Sequence, residues 1–195
     1  MTSPGHPWKD DERRNWEYAD LRLRAFKYVL GAGSGMQAVS LRGHLLLDIA
    51  VTQLLLSNVA SNIGYMPPVP FGRKLKVAAK HGLVSPEIRY ILSEVARIRN
   101  AHAHELATRS TFRQVHALSV RAQEAGIEDR FRAHDDEVEV TLYVAAKGEL
   151  ADHLFDPASE LANLCAEVFS HIVFWNYDSF DLVNLRSTLD DVRWQ

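Results

Sequence analysis

SPEIRYILSEVARIRNAHAH, residues 85–104, carries two messages in one segment. Its first part predicts a helix. Ser85 is a natural N-cap and Pro86 suits the first helical position, where its missing N–H costs nothing. Ile88, Ile91, Val95 and Ile98 recur at helical spacing and form an apolar face. Beyond Ile98 the character changes. Arg99, Asn100, His102, His104 and Glu105 crowd the C-terminal end. Arginine holds a phosphate by charged, paired hydrogen bonds. Histidine titrates near neutral pH and moves protons. Asparagine can orient a hydroxyl or a phosphate oxygen. Together these side chains supply what cleavage of a phosphodiester without a metal requires: a base for the ribose 2′-hydroxyl, a cation for the crowded phosphate and an acid for the leaving oxygen.

Two other readings of this cluster stand beside that one. A helix C-terminus favours cations for structural reasons, so Arg99 and Asn100 can serve only as caps or ion-pair partners. His102 and His104 as metal ligands would diverge by about 200° around a helix, so no metal is expected. Arg99 and His104 lie five apart, about 140° around an ideal helix. They converge only where the helix ends or bends, or with help from a second chain. Arg97 is the alternative cation, being seven residues from His104 and nearly on its face.

Working outward, the chain reads as helix after helix. Trp16, Leu23, Phe26 and Leu30 recur at helical spacing from about Glu12. The glycine-rich run 31–35 breaks that helix; it follows no strand and precedes no Gly-Lys-Ser/Thr, which excludes a phosphate loop. Ser34 is the expected cap of a second helix reaching about Ser61, with Val39, Leu45, Leu46, Ile49, Leu54 and Leu56 as its apolar face. His44 and Asp48 lie four apart on that helix. Such a pair is either a solvent-facing contact or part of a site; the solvent-facing contact is expected. Pro67, Pro68 and Pro70 interrupt the chain before a short helix from Phe71 to Lys80, stopped near Gly82. Ser110 is the expected cap of a helix bearing Phe112, Val115 and Leu118. Val138, Val140, Leu142 and Val144 alternate with Glu139, Thr141 and Tyr143, a strand pattern over about 137–145. Asp156-Pro157 opens a last helix to Trp175, with Cys165 on its inner face as an inert core residue. The expectation is an all-α bundle of four to five main helices with a short β segment.

The chain has 195 residues, 47% of them hydrophobic, enough for one core without disulfides. Residues 1–12 read as a flexible tail and 13–195 as one domain. The single cysteine excludes an internal disulfide. The first residues hold no apolar run, and Asp48 interrupts the longest aliphatic stretch. A cytoplasmic protein without a membrane segment or cofactor is therefore expected. Net charge is −3, unevenly spread. Residues 71–121 hold ten Lys+Arg against three Asp+Glu, whereas residues 122–195 hold five against sixteen. A basic centre attracts phosphates; an acidic tail folded back would neutralise it.

The string Arg99-Asn100-Ala101-His102-Ala103-His104 resembles the signature of the HEPN superfamily: an Arg, a polar residue and, after four intervening positions, a His. Leu41-Arg42-Gly43-His44-Leu45-Leu46-Leu47-Asp48 is similar to the second-helix segment of its mannitol operon repressor-like subgroup, and so is Phe71–Glu105, with the Gly82-Leu83-Val84-Ser85 turn. The likeness covers about residues 15–125, and the last helix by position only. It implies a four- or five-helix bundle that dimerises, two signatures meeting across the interface. Many such domains are metal-independent ribonucleases, often toxins with an antitoxin partner or phage-defence effectors; others are silent regulatory or interaction modules. On that resemblance Arg99, Asn100 and His104 are the catalytic residues and RNA the substrate, with His102, His44, Asp48 and Arg97 as secondary candidates. One toxin group of the superfamily is silenced by nucleotidylation of a Tyr two positions after the His; that position here is Leu106.

Overall fold

The computed structural model describes residues 12–31, 35–59, 69–104, 110–127 and 156–190. All regular structure among them is helical. The order is α1 (Glu12–Leu30), α2 (Met36–Asn58), α3 (Phe71–Lys80), α4 (Pro86–His104), α5 (Phe112–Glu124), α6 (Pro157–Trp175), a 3-10 turn at Tyr177–Ser179 and α7 (Leu182–Asp190). The protein is an all-α helical bundle. The expected strand at 137–145, and residues 1–11 of the expected tail, lie outside the described residues. The turn and α7 extend the bundle beyond Trp175, where the sequence reading stopped.

The last long helix is the centre of the fold. The Asp156 carboxylate accepts from the Ala158 and Ser159 amides, each at 3.0 Å, and Pro157 sits in the first turn. These residues satisfy donors that a helix start leaves open. Every residue of α6 is buried except Pro157, Ser159, Asn163 and Trp175. Helices α1, α2 and α5 pack around it, α4 lies on α2 and α5, α3 on α2 and α4, and α7 on α1. Two carboxylates of α6 are buried, and both are paired, as burial of charge demands. Glu167 receives Arg22 of α1 at 2.9 Å, and Glu160 lies 3.0 Å from His116 of α5.

The segment Arg42-Gly43 joins three helices. Arg42 donates through Nε to the Val29 carbonyl at 2.7 Å and through Nη2 to the Leu30 carbonyl at 2.6 Å. It thereby caps carbonyls that the end of α1 leaves open. Gly43 faces α6 so closely that an added Cβ would stand 2.6 Å from the Cys165 Sγ. Burial pushes the Cys165 thiol up to about 12, so it is a packing group.

Several details differ from the sequence reading. In α1 the stripe of Trp16 and Leu23 faces outward; Tyr18, Leu21, Ala25 and Val29 form the core stripe instead. Periodicity marks both stripes, and the small Ala25 belongs to the one that meets α6. In α2, Leu45 is exposed, while Leu47, Ala50, Val51 and Leu55 join the core. The N-cap of α2 is Gly35, without a side-chain bond; Ser34 lies outside the described residues. The cap of α5 is Thr111, not Ser110: its hydroxyl accepts from the Gln114 amide while the Gln114 side chain accepts from the Thr111 amide, a reciprocal capping box. By length and hydropathy α2 could cross a membrane, contrary to the sequence reading; in the bundle it packs against α1, α3, α4 and α6, as a core helix does.

Candidate functional site at the junction of α2, α3 and α4

Helix α4 starts as the sequence indicates, with the Ser85 hydroxyl accepting from the Ile88 amide at 3.2 Å. It is entered from α3 by a tight turn at Gly82, whose φ of 68° suits glycine. The Leu83 amide reaches back to the Ala78 carbonyl at 2.9 Å, closing α3 in the manner of a Schellman turn. This turn leads from the short α3 into α4, and the two helices touch. Ile88, Ile91, Leu92, Val95 and Ile98 anchor α4 in the core, and the polar end projects beyond them.

Arg99 is half-buried. Its Nη1 donates to Asn100 Oδ1 at 2.9 Å, and its Nε is buried without a hydrogen-bond acceptor among the described residues. Asn100 is exposed, and so is His104, the last residue of α4. His102 is partly buried, its Nε2 lying 2.9 Å from Ser110 Oγ. That contact occupies the serine expected as a cap and ties the end of α4 to the approach to α5. Arg97 points elsewhere: its side chain is 72% exposed and it pairs with Glu94 at 2.8 Å, one turn earlier.

His44 and Asp48 are not the solvent-facing contact expected of them. Both are half-buried, and α3 covers them. The His44 ring meets Phe71 edge-on, centroids 4.7 Å apart at 64°. The Asp48 carboxylate receives the Lys74 ammonium at 2.7 and 2.8 Å, and Lys74 also donates to Thr52 Oγ1 at 2.8 Å. Lys74 is buried, with its charge spent on these acceptors. The Arg99 guanidinium is near enough to be felt by His44. Burial lowers the His44 pKa below its ordinary 6.5; Arg99 and Lys74 push the same way, and Asp48 pulls back. The imidazole is thus biased toward its neutral form, which can accept a proton.

The structure therefore brings Arg99 within electrostatic reach of His44, sets Asp48 one turn along α2 from that ring and ties Asn100 to Arg99, with His102 engaged by Ser110 and Arg97 by Glu94. Phe71, Thr52 and Lys74 complete the site and were missed by the sequence reading. Lys74 left a readable signal: it falls on the face of α3 that buries Leu75 and Ala78. A lysine among core positions needs a carboxylate partner, and Asp48 is that partner. Helix α3 carries Arg73, Lys74, Lys76 and Lys80 and no acidic residue, so an exposed cationic flank borders the junction. Among the described residues no three His, Cys, Asp or Glu side chains cluster as metal ligands would. No protein-family model, curated protein or solved structure matches the chain.

Proposed function

We propose that the chain is a metal-independent endoribonuclease of HEPN type, acting in the cytoplasm as a homodimer, in the role of a toxin held by an antitoxin or of a phage-defence effector. The observation that carries this reading is the Arg99 guanidinium, whose buried Nε has no acceptor among the described residues, which lies within electrostatic reach of the neutral-biased His44 and which is flanked by the acid-free α3. Arg99 binds the scissile phosphate, Asn100 orients it or the ribose, and His104 moves a proton. The nucleophile is the substrate's own 2′-hydroxyl, so the products carry a 2′,3′-cyclic phosphate and DNA resists. Cleavage of single-stranded RNA in EDTA is the test. Arg99→Ala and His104→Ala each lower the rate by roughly a hundredfold or more, with circular dichroism unchanged. Activity that needs Mg²⁺, or that survives both substitutions, overturns the reading.

One observation favours a second reading, a catalytically silent regulatory or interaction module. Arg99 donates to Asn100, so two signature residues partly satisfy each other without a ligand. Absence of cleavage on every RNA tested selects this module.

A further inference from the structure

We propose that the base of this site is His44, which works with Arg99 of the same chain to take the phosphodiester of single-stranded RNA, so that α2 and α4 of one chain supply the reacting pair. The proposal rests on the ribonuclease reading above and names its proton acceptor.

Three features of the junction carry it. First, His44 is held and His104 is not. The His44 ring is wedged edge-on against Phe71 and half-buried between helices, whereas His104 stands exposed at the helix end. A general base acts best when packing fixes its orientation. Second, the pull of the carboxylate one turn along α2 toward the charged form of His44 is opposed by a cation bound to it. Asp48 is taken up by Lys74 through both oxygens, and Thr52 fills a third donor position of that ammonium. Among the described residues, the titratable and charged groups acting on His44 are Asp48 on its own helix, Lys74 on α3 and Arg99 on α4. Two of the three are cations, and with burial they favour the neutral imidazole, the form a base must have. Third, Arg99 offers donors that the described residues leave unused. A guanidinium has five N–H groups; Asn100 takes one, and the buried Nε has no acceptor among the described residues.

A phosphate reaching Arg99 satisfies these donors within electrostatic reach of His44. The chemistry then balances within the site. A neutral His44 nitrogen takes the 2′-hydroxyl proton, the 2′-oxygen forms its bond to phosphorus, and the bond from phosphorus to the 5′-oxygen breaks. The leaving 5′-oxygen takes a proton from the His104 imidazolium, and both rings return to their starting forms by exchange with water. Nothing is oxidised or reduced. The phosphate also stabilises the imidazolium that His44 becomes, so the ligand favours the product state of the proton transfer.

The experiment uses the full chain and has two arms. In the first, single-turnover cleavage of a labelled single-stranded RNA is followed in EDTA from below to above pH 6.5. The parent rate rises with pH as His44 loses its proton, with a midpoint below 6.5. His44→Gln lowers the rate by about a hundredfold or more and removes this rising limb; His104→Gln keeps it. A rising limb intact in His44→Gln and lost in His104→Gln overturns the proposal. In the second arm, imidazole NMR follows the His44 titration in the unmodified chain with and without inorganic phosphate. Phosphate raises the His44 pKa, and Arg99→Gln abolishes the effect. An unmoved titration overturns the pair whether or not the protein cleaves RNA. A phosphate-linked shift in a protein inactive on RNA supports the anion-binding pair and overturns the ribonuclease reading alone.

Discussion

Helices α4 and α6 have the same length, nineteen residues, and opposite characters. Helix α6 is buried on nearly all sides, and even its glutamates are paired inside the bundle. Helix α4 buries one stripe and ends in a half-buried arginine, a partly buried histidine and an exposed histidine. The difference follows from position. A helix enclosed by three others has little free face, whereas a helix lying outside α2 and α5 keeps a polar end open to solvent. Packing is concentrated in α6 and exposed polar side chains at the end of α4, so substitutions in the two helices should separate stability from any activity of the site.

The largest expected effect is on α6. Phe169 is fully buried, and Phe169→Ala should cost about 3–5 kcal/mol in urea unfolding. A loss below about 1 kcal/mol would show that α6 is not the centre of the core. Next comes the place where α2 meets α6. Gly43→Ala puts a methyl group against the Cys165 sulfur, and overpacking of this kind costs about 1–3 kcal/mol. Pairing it with Cys165→Ala should recover part of that loss; a neutral Gly43→Ala would mean that α2 can shift without strain.

Lys74→Met moves the contrast to the site. It leaves Asp48 without its cation in a half-exposed position, so the stability cost should be about 1–2 kcal/mol, reduced by the remaining solvent. The His44 pKa should rise, because Asp48 then acts on it without Lys74 in opposition. An NMR titration that finds it unchanged would remove Lys74 from the account. The smallest effect concerns acid. The folded His44 pKa lies below the unfolded 6.5, so between the two values the unfolded chain binds more protons. The His44 contribution to stability is therefore present above 6.5 and is lost as pH falls toward the folded value. His44→Gln should flatten the dependence in that window, and equal slopes in parent and variant would contradict it.

Much of the fold is legible because its punctuation is local. Ser85-Pro86, Gly82 and Asp156-Pro157 set helix ends through short-range hydrogen bonds, which a linear sequence displays. The faces are less legible. Trp16 and Leu23 form as regular a stripe as Leu21 and Ala25, and only the shape of α6 decides which turns inward. The choice of Thr111 over Ser110 as a cap depends on His102 engaging the serine across the end of α4. For the same reason His44 and Asp48 passed as a solvent-facing pair. Their setting is made by Phe71 and Lys74, more than twenty residues away, and a pairing across helices leaves no periodic trace. Arg99 and Asn100 are proposed for the site on their chemical types, which the sequence displays directly.

The Arg42 clamp on the Val29 and Leu30 carbonyls has an engineering consequence. A side chain of α2 thus holds the corner between α1 and α2. The connection between residues 31 and 35 is therefore a place to splice in foreign sequence. Each doubling of such a loop adds only about 0.6 kcal/mol of closure entropy. A tag or a small reporter inserted there leaves the docking of the two helices to Arg42.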